Sequence, residues 1–260
     1  MATINLGDEG LSNGDTIDPY LNTYLGNGDT IEIPEGTYIF DGNDLNLSGN
    51  GDHLLGLGDP GDVVWELEGT WSGSTFGNPC TLENIYVVNS NPSSKAGLDV
   101  GSDQLMKQVF WLDGATQAED RFIYGGGAGS ARPTFEKCMV GNIGNNCFYN
   151  DHVPSDYTDC ISVNNNIAGF RVGHADSGGN SETTNLTNCY IYVTDSVPTD
   201  GENSANARGL RIRESGQFVV EDCTFIYDDV SGAGSPVQIH ADSGAESVEF
   251  NNCDFVINSG

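Results

Sequence analysis

Seven times along this chain an apolar residue is followed, three positions later, by a cysteine or a second apolar residue. Two residues, mostly polar, stand between them. Five copies end in cysteine: Phe135-Glu-Lys-Cys138, Tyr157-Thr-Asp-Cys160, Leu186-Thr-Asn-Cys189, Val220-Glu-Asp-Cys223 and Phe250-Asn-Asn-Cys253. Leu82-Glu-Asn-Ile85 and Met106-Lys-Gln-Val109 keep the frame without cysteine. A further apolar residue usually follows two places on; Ser162, after Cys160, breaks that rule. The end positions 85, 109, 138, 160, 189, 223 and 253 are spaced by 24, 29, 22, 29, 34 and 30 residues. A repeat of that length with variable insertions predicts a solenoid. The runs alternate with a period of two, so the repeating element is a strand. Asn and Asp between the apolar positions predict a tight corner, because these residues tolerate left-handed backbone.

A second register has a similar period. Leu98-Asp-Val100, Phe122-Ile-Tyr124, Cys147-Phe-Tyr149, Phe170-Arg-Val172, Leu210-Arg-Ile212 and Val237-Gln-Ile239 align, with the first and third residues expected inside and the middle one outside. Each repeat is therefore a coil of strands joined by corners. Cysteines stacked along one axis are expected as small buried hydrophobes with free thiols rather than as a disulfide framework. No C-x-x-C spacing suggests a zinc site.

Charge limits the partners. Nine Lys and Arg stand against 38 Asp and Glu, a formal net charge of −29. A nucleic-acid partner needs a positive surface, and anionic lipid repels such a chain. No apolar run reaches the roughly 20 residues of a membrane-spanning helix. Self-repulsion at this scale is relieved in concentrated salt, where the Debye length falls to about 3 Å at 1 M. The composition is thus read as adaptation to a hypersaline medium. The Asp-Gly turns around Asp44, Asp52 and Asp59 lack a calcium-binding nonapeptide repeat and are read as polar turns.

Gly28-Asp-Thr-Ile31-Glu-Ile33-Pro-Glu-Gly36-Thr-Tyr38-Ile-Phe40 is similar to the opening coil common in the pectate-lyase-like superfamily of right-handed parallel β-helices, and the Asn-Cys corners resemble that group's asparagine ladder. The resemblance runs from about residue 28 to the end and implies an all-β right-handed parallel β-helix for 28–260. About nine coils at about 4.8 Å each would extend about 45 Å. Residues 1–27 fall outside the repeat and are expected to cap the helix or attach it to a partner; they carry no basic and apolar leader pattern. The end at Cys253-Asp-Phe255-Val-Ile257 is a core-type strand, so a homo-oligomer or a larger assembly is expected. The fold hosts lyases, hydrolases, viral spikes and binders alike, so the resemblance implies no activity.

Unusual residues gather just after the second register: Arg171-Val-Gly-His174-Ala-Asp176, Arg211-Ile-Arg213-Glu214 and Gln238-Ile-His240-Ala-Asp242, with Asp151 one coil earlier. Coil stacking would make them a stripe in which Arg and His donate to glycan hydroxyls or acids while Asp and Glu accept. Phe148 is expected on the outer face, stacking on a sugar ring or making an oligomer contact. The competing reading is a turn ladder in which the arginines neutralise neighbouring acids. Gly173-His174-Ala175 and Arg211-Ile-Arg213 faintly resemble polygalacturonase motifs, but the paired acids that inverting hydrolysis needs are missing upstream. No catalytic residue and no cofactor is assigned. A metal held by His152, His174 and His240 is disfavoured by the Arg211 coil lying between them. Asn46-Leu-Ser48 and Asn185-Leu-Thr187 match the glycosylation sequon, a short and weak signal.

Three classes of function follow. The favoured one is a non-catalytic virion surface protein (spike, turret or fibre) of a virus of a halophilic host, facing a hypersaline exterior. Its partners would be a cell-surface glycan or glycoprotein and other virion proteins, without nucleic acid or membrane insertion. The alternative is a halophilic polysaccharide lyase or glycoside hydrolase. A purely structural role in an assembly is the third.

Overall fold

The computed structural model describes residues 1–40, 51–67, 74–76, 80–89, 98–100, 105–112, 121–124, 132–143, 146–150, 153–165, 168–174, 183–194, 208–213, 216–228, 235–239 and 245–258. In chain order these form β1 (Thr3–Asn5), α1 (Asp18–Tyr24), β2 (Thr30–Ile33), β3 (Gly36–Phe40), β4 (His53–Gly56), β5 (Val63–Leu67), β6 (Ser74–Phe76), β7 (Thr81–Asn89), β8 (Leu98–Val100), β9 (Leu105–Leu112), β10 (Arg121–Tyr124), β11 (Thr134–Glu136), β12 (Met139–Ile143) and β13 (Asn146–Asn150). They continue as β14 (Asp156–Thr158), β15 (Ile161–Asn165), β16 (Ala168–Val172), β17 (Thr183–Thr187), β18 (Tyr190–Thr194), β19 (Arg208–Ile212), β20 (Gly216–Glu221), β21 (Thr224–Asp228), β22 (Ser235–Ile239), β23 (Ala245–Asn251) and β24 (Asp254–Asn258).

Every pairing between these strands is parallel, and each strand pairs with its counterparts one coil away. The chain is a parallel β-helix with three faces. One face runs from β1 through β2, β4, β7, β9, β11, β14, β17 and β20 to β23. A second runs from β3 through β5, β7, β9, β12, β15, β18 and β21 to β24. The third is the sheet β6-β8-β10-β13-β16-β19-β22. Strands β7 and β9 turn the corner between the first two faces without a break.

That corner follows from the repeated motif. Asn84, Gln108, Lys137, Asp159, Asn188, Asp222 and Asn252, the second polar residue of each copy, all have φ between 52° and 59°. One left-handed residue between two extended segments redirects the chain, and Asn or Asp holds that conformation at least cost. The apolar residue three places before each end position forms one inward column: Leu82, Met106, Phe135, Tyr157, Leu186, Val220 and Phe250 stand opposite one another in register. At the corner surface Asn188 Nδ2 donates to Asp159 Oδ1 at 2.5 Å, and Asn252 Nδ2 to Asp222 Oδ1 at 2.5 Å. Alternating Asp with Asn gives each carboxylate a donor instead of a second carboxylate.

Five of the seven cysteines occupy the position just past the corner. All seven are free. Each of the five corner thiols reaches back to the carbonyl of an inward column residue: Cys138 to Met106 at 3.4 Å, Cys160 to Phe135 at 3.4 Å, Cys189 to Tyr157 at 3.6 Å, Cys223 to Leu186 at 3.5 Å and Cys253 to Val220 at 3.4 Å. A small side chain with a weak donor fits there. Ser162, the exception two places after Cys160, is buried in the core opposite Gly169. A Cβ at Gly169 would lie 2.5 Å from Ser162 Oγ, so a larger residue at either position has no room.

Residues 1–27 pack on the first coil. Strand β1 pairs with β2, and Leu6, Leu11, Ile17 and Leu21 are buried in the same core as Ile31 and Ile33. Asp52 is fully buried beneath this segment; it accepts Gly26 N at 2.6 Å, Gly28 N at 2.8 Å and Asp29 N at 3.0 Å. The Gly51-Asp52 turn thus spends its carboxylate on backbone amides.

Candidate functional site

On the third face the outward residues fall into one row. Tyr149 stands opposite Arg171, Arg171 opposite Arg211, and Arg211 opposite Gln238. Alternation along β16 and β19 sets this orientation for the two arginines. Phe170 and Val172 flank Arg171 in the core, and Leu210 and Ile212 do the same for Arg211. Neighbouring rungs stand about 4.8 Å apart. The Arg171 guanidinium carbon lies 4.1 Å from the centre of the Tyr149 ring, a cation–π contact that holds the planar fork over the ring. Arg171 and Arg211 are both partly exposed. Arg213 follows directly after β19, partly exposed, its N–H donating to Val172 O at 2.9 Å. Arg208, at the start of β19, is a further cation on this strand; burial lowers its pKa.

Two expected site residues turn inward. Phe148 is 0% exposed, stacked on Phe170 at 4.6 Å and edge-on to Tyr157 at 5.7 Å. The expected outer-face Phe148 is therefore corrected: the aligned rungs are Leu98, Ile123, Phe148, Phe170, Leu210 and Val237, one residue later than expected at β10 and β13. The physical cause is that Cys147 and Phe148 are both buried, so simple alternation counted from Cys147 puts the wrong residue outside. Burial pushes the Cys147 thiol up to about 12, which leaves it neutral. The slip also hid Tyr149, which takes the outward position beneath Arg171. The aromatic pairing in register with the arginines was the signal available.

His174 is the second correction. It is 1% exposed, its Nε2 2.8 Å from Thr184 Oγ1 and its ring 5.1 Å from that of Phe218. The ring lies against Gly216, whose φ is +132°; a Cβ there would fall 2.1 Å from His174 Nδ1. Thr184 Oγ1 also accepts Ser155 N at 3.2 Å, and Asn150 Nδ2 donates to Ser155 Oγ at 2.6 Å, so His174 ends a buried polar chain across three coils. Burial, helped by the charge of Arg132, lowers its pKa to about 4. A neutral, enclosed imidazole serves the core rather than a ligand at the surface. Nearby, Arg132 holds Asp156 in a two-pronged ion pair and donates to Thr183 O at 2.6 Å.

Asp151, Asp176, Glu214, His240 and Asp242 lie outside the described residues, as does His152. Among the described residues no group of three or more His, Cys, Asp or Glu is placed to hold a metal ion. The row can supply two guanidinium forks and an amide at regular spacing, while Tyr149, only 6% exposed, serves as the brace beneath Arg171. That set suits carboxylates or sulfates repeated along an extended ligand.

No protein-family model matches the chain, and no curated protein does. Solved structures match it in fold. The A-module of the mannuronan C-5 epimerase of Azotobacter vinelandii is 15% identical, with a TM-score of 0.59 over 96% of this chain and 76% of that one. The pectin methylesterase of Aspergillus niger is 14% identical, with a TM-score of 0.64 over 98% of this chain and 85% of that one. These likenesses establish the parallel β-helix architecture that the repeat and the opening coil implied.

Proposed function

We propose that this chain is a non-catalytic carbohydrate-binding β-helix that holds acidic groups of a cell-surface glycan or glycoprotein on the Tyr149–Arg171–Arg211–Gln238 row. The single observation behind this reading is the lining up of two of the chain's six arginines, one braced on Tyr149, on a molecule of net charge −29. An acidic molecule that keeps cations in one row concentrates its affinity for anions there. The acid excess supports a hypersaline setting, and we extend the reading to a spike, turret or fibre on a virion of a halophilic host.

Glycan-array binding of the wild type, Arg171→Ala and Arg211→Ala tests the site. Each variant should lose at least about tenfold in binding to acidic glycans, the loss of one charged contact. Unchanged binding in both rejects the row as the site. Co-purification with particles, followed by binding to host envelope, tests the virion role.

The second reading, a halophilic polysaccharide lyase or hydrolase, draws on the names of the two structural neighbours, an epimerase of mannuronan and an esterase of pectin. Enclosure of His174 counts against a polygalacturonase-like use of that residue. Release of reducing sugar, or absorbance at the unsaturated-uronide band, would favour catalysis.

A further inference from the structure

The second face presents an apolar outer side on a molecule of net charge −29. Its inward residues, Val87, Trp111, Val140, Ile191 and Phe225 among them, are buried in the core. The residues that alternate with them point outward. Tyr86, Phe110, Met139, Ile161 and Tyr190 stand in register as one outward row. Two places further along the strands, Leu112, Gly141, Val163, Tyr192 and Ile226 form a second. No residue in either row carries a charge. All but Gly141 are partly exposed, Tyr190 at 38%. The surface closes over that glycine: a Cβ there would lie 3.1 Å from Leu112 Cδ2 and 3.4 Å from Val163 Cβ. Acids stand along both borders. Asp159 and Asp222 hold corner positions beside the first row, where Lys137 is the one cation among the seven corner residues. Asp228, which accepts the Tyr192 hydroxyl at 3.0 Å, lies beyond the second row.

We infer that an amphipathic α-helix of a partner protein, about 16 residues long and flanked by Lys or Arg, lies along these two rows. The surface sits in the middle of the stack, from β7 to β21, and each of these strands is paired on both sides. An occupant must therefore lie on the face, since it cannot add a strand to it. The strands from β7 to β21 span about 24 Å, and the two rows stand about 7 Å apart. A helix rising about 1.5 Å per residue covers that length in about 16 residues, and its pitch of about 5.4 Å brings roughly one apolar turn to each rung. Charge selects the flanks of the helix: Lys and Arg beside its apolar stripe meet Asp159, Asp222 and Asp228. Area and charge both disfavour a second copy. The patch offers roughly 300 Å² per chain, against the roughly 800 Å² per partner of a standard stable interface. Face-to-face contact would also bring −29 onto −29. The contact is independent of the arginine row on the third face.

Fluorescence anisotropy of labelled synthetic peptides of this length in 0.5 M NaCl tests the inference. One peptide carries Leu on one helical face and Lys on its flanks. A second has Ser in place of Leu, and a third has Glu in place of Lys. Phe110→Thr and Ile161→Thr remove apolar area from the face while keeping the charge and a strand-favouring residue, and circular dichroism verifies folding. The wild type should bind the Leu/Lys peptide at least about tenfold more tightly than either of the others. Each variant should lose about tenfold for the Leu/Lys peptide and nothing for the Ser/Lys peptide, which reports the general attraction of cations to an acidic protein. Equal binding of the Leu/Lys and Ser/Lys peptides overturns the inference. So does Leu/Lys binding that neither variant weakens. A wild-type dimer in sedimentation equilibrium that Phe110→Thr dissociates also overturns it, because the face then belongs to a second copy.

Discussion

Asp52→Ala removes the acceptor for three amides at once, and its cost can be worked from the geometry. Gly26 N meets one carboxylate oxygen at 2.6 Å, while Gly28 N and Asp29 N share the other at 2.8 and 3.0 Å. A hydrogen bond to a charged group contributes about 1.5–3 kcal/mol. Full additivity over three bonds gives about 4.5–9 kcal/mol. The amides are only partly buried, so water entering the vacated space recovers part of this. The expected loss is about 3–5 kcal/mol, a large share of the roughly 5–15 kcal/mol that a folded domain commands. Asp52→Asn separates the two oxygens. The amide oxygen can keep Gly28 N and Asp29 N, but its NH2 then faces Gly26 N, donor to donor. That variant should lose about 1–2 kcal/mol. Urea unfolding by far-UV circular dichroism measures both. Losses should be the same in 0.2 M and 2 M NaCl, because a buried contact is screened little. An Asp52→Ala variant within about 0.5 kcal/mol of the wild type, the range of ordinary surface substitutions, refutes the account.

Other outcomes follow from the same structure. Gly216→Ala should destabilise by about 3 kcal/mol or more through its clash with His174, and adding His174→Ala should recover part of the loss in a double-mutant cycle. The His174 pKa of about 4 lies below the ordinary 6.5, so the unfolded chain takes up this proton first as pH falls; the contribution is complete above 6.5 and is lost towards 4. That slope amounts to as much as about 3 kcal/mol, and His174→Gln should remove it from a series of unfolding curves between pH 7 and 4. Phe148→Ala should cost about 3–5 kcal/mol in urea unfolding by emptying the aromatic stack with Phe170 and Tyr157. Lys137→Asn should stabilise by about 0.5–1 kcal/mol, because Lys137 holds a φ of +54° on the surface where Asn is more at ease.

The corner was legible at every repeat. The left-handed residue, the column three before the end position and the stack just past it all depend on neighbours within a few residues, where steric rules of the backbone and alternation along a strand suffice. The third face was read one residue out of step at β10 and β13; at β13 Cys147 and Phe148 are both buried, and alternation is suspended there. The site shared that error. Arg171 and Arg211 were correctly aligned, while Phe148 exchanged roles with Tyr149, and His174 went to the core.

Local rules are enough to write the repeating unit: strand, left-handed corner, strand, with a cysteine column and an acidic exterior. These are consequences of local backbone preference and of a charge excess too large for the core to hold. Which neighbour in space completes each residue is set only when the coils stack. His174 is buried because Gly216 makes room for its ring and Thr184, on another coil, offers it a partner. Tyr149 belongs to the outward row because Arg171, 22 residues further on, lies over its ring. Those pairings depend on variable insertions between coils, and no period within one coil encodes them.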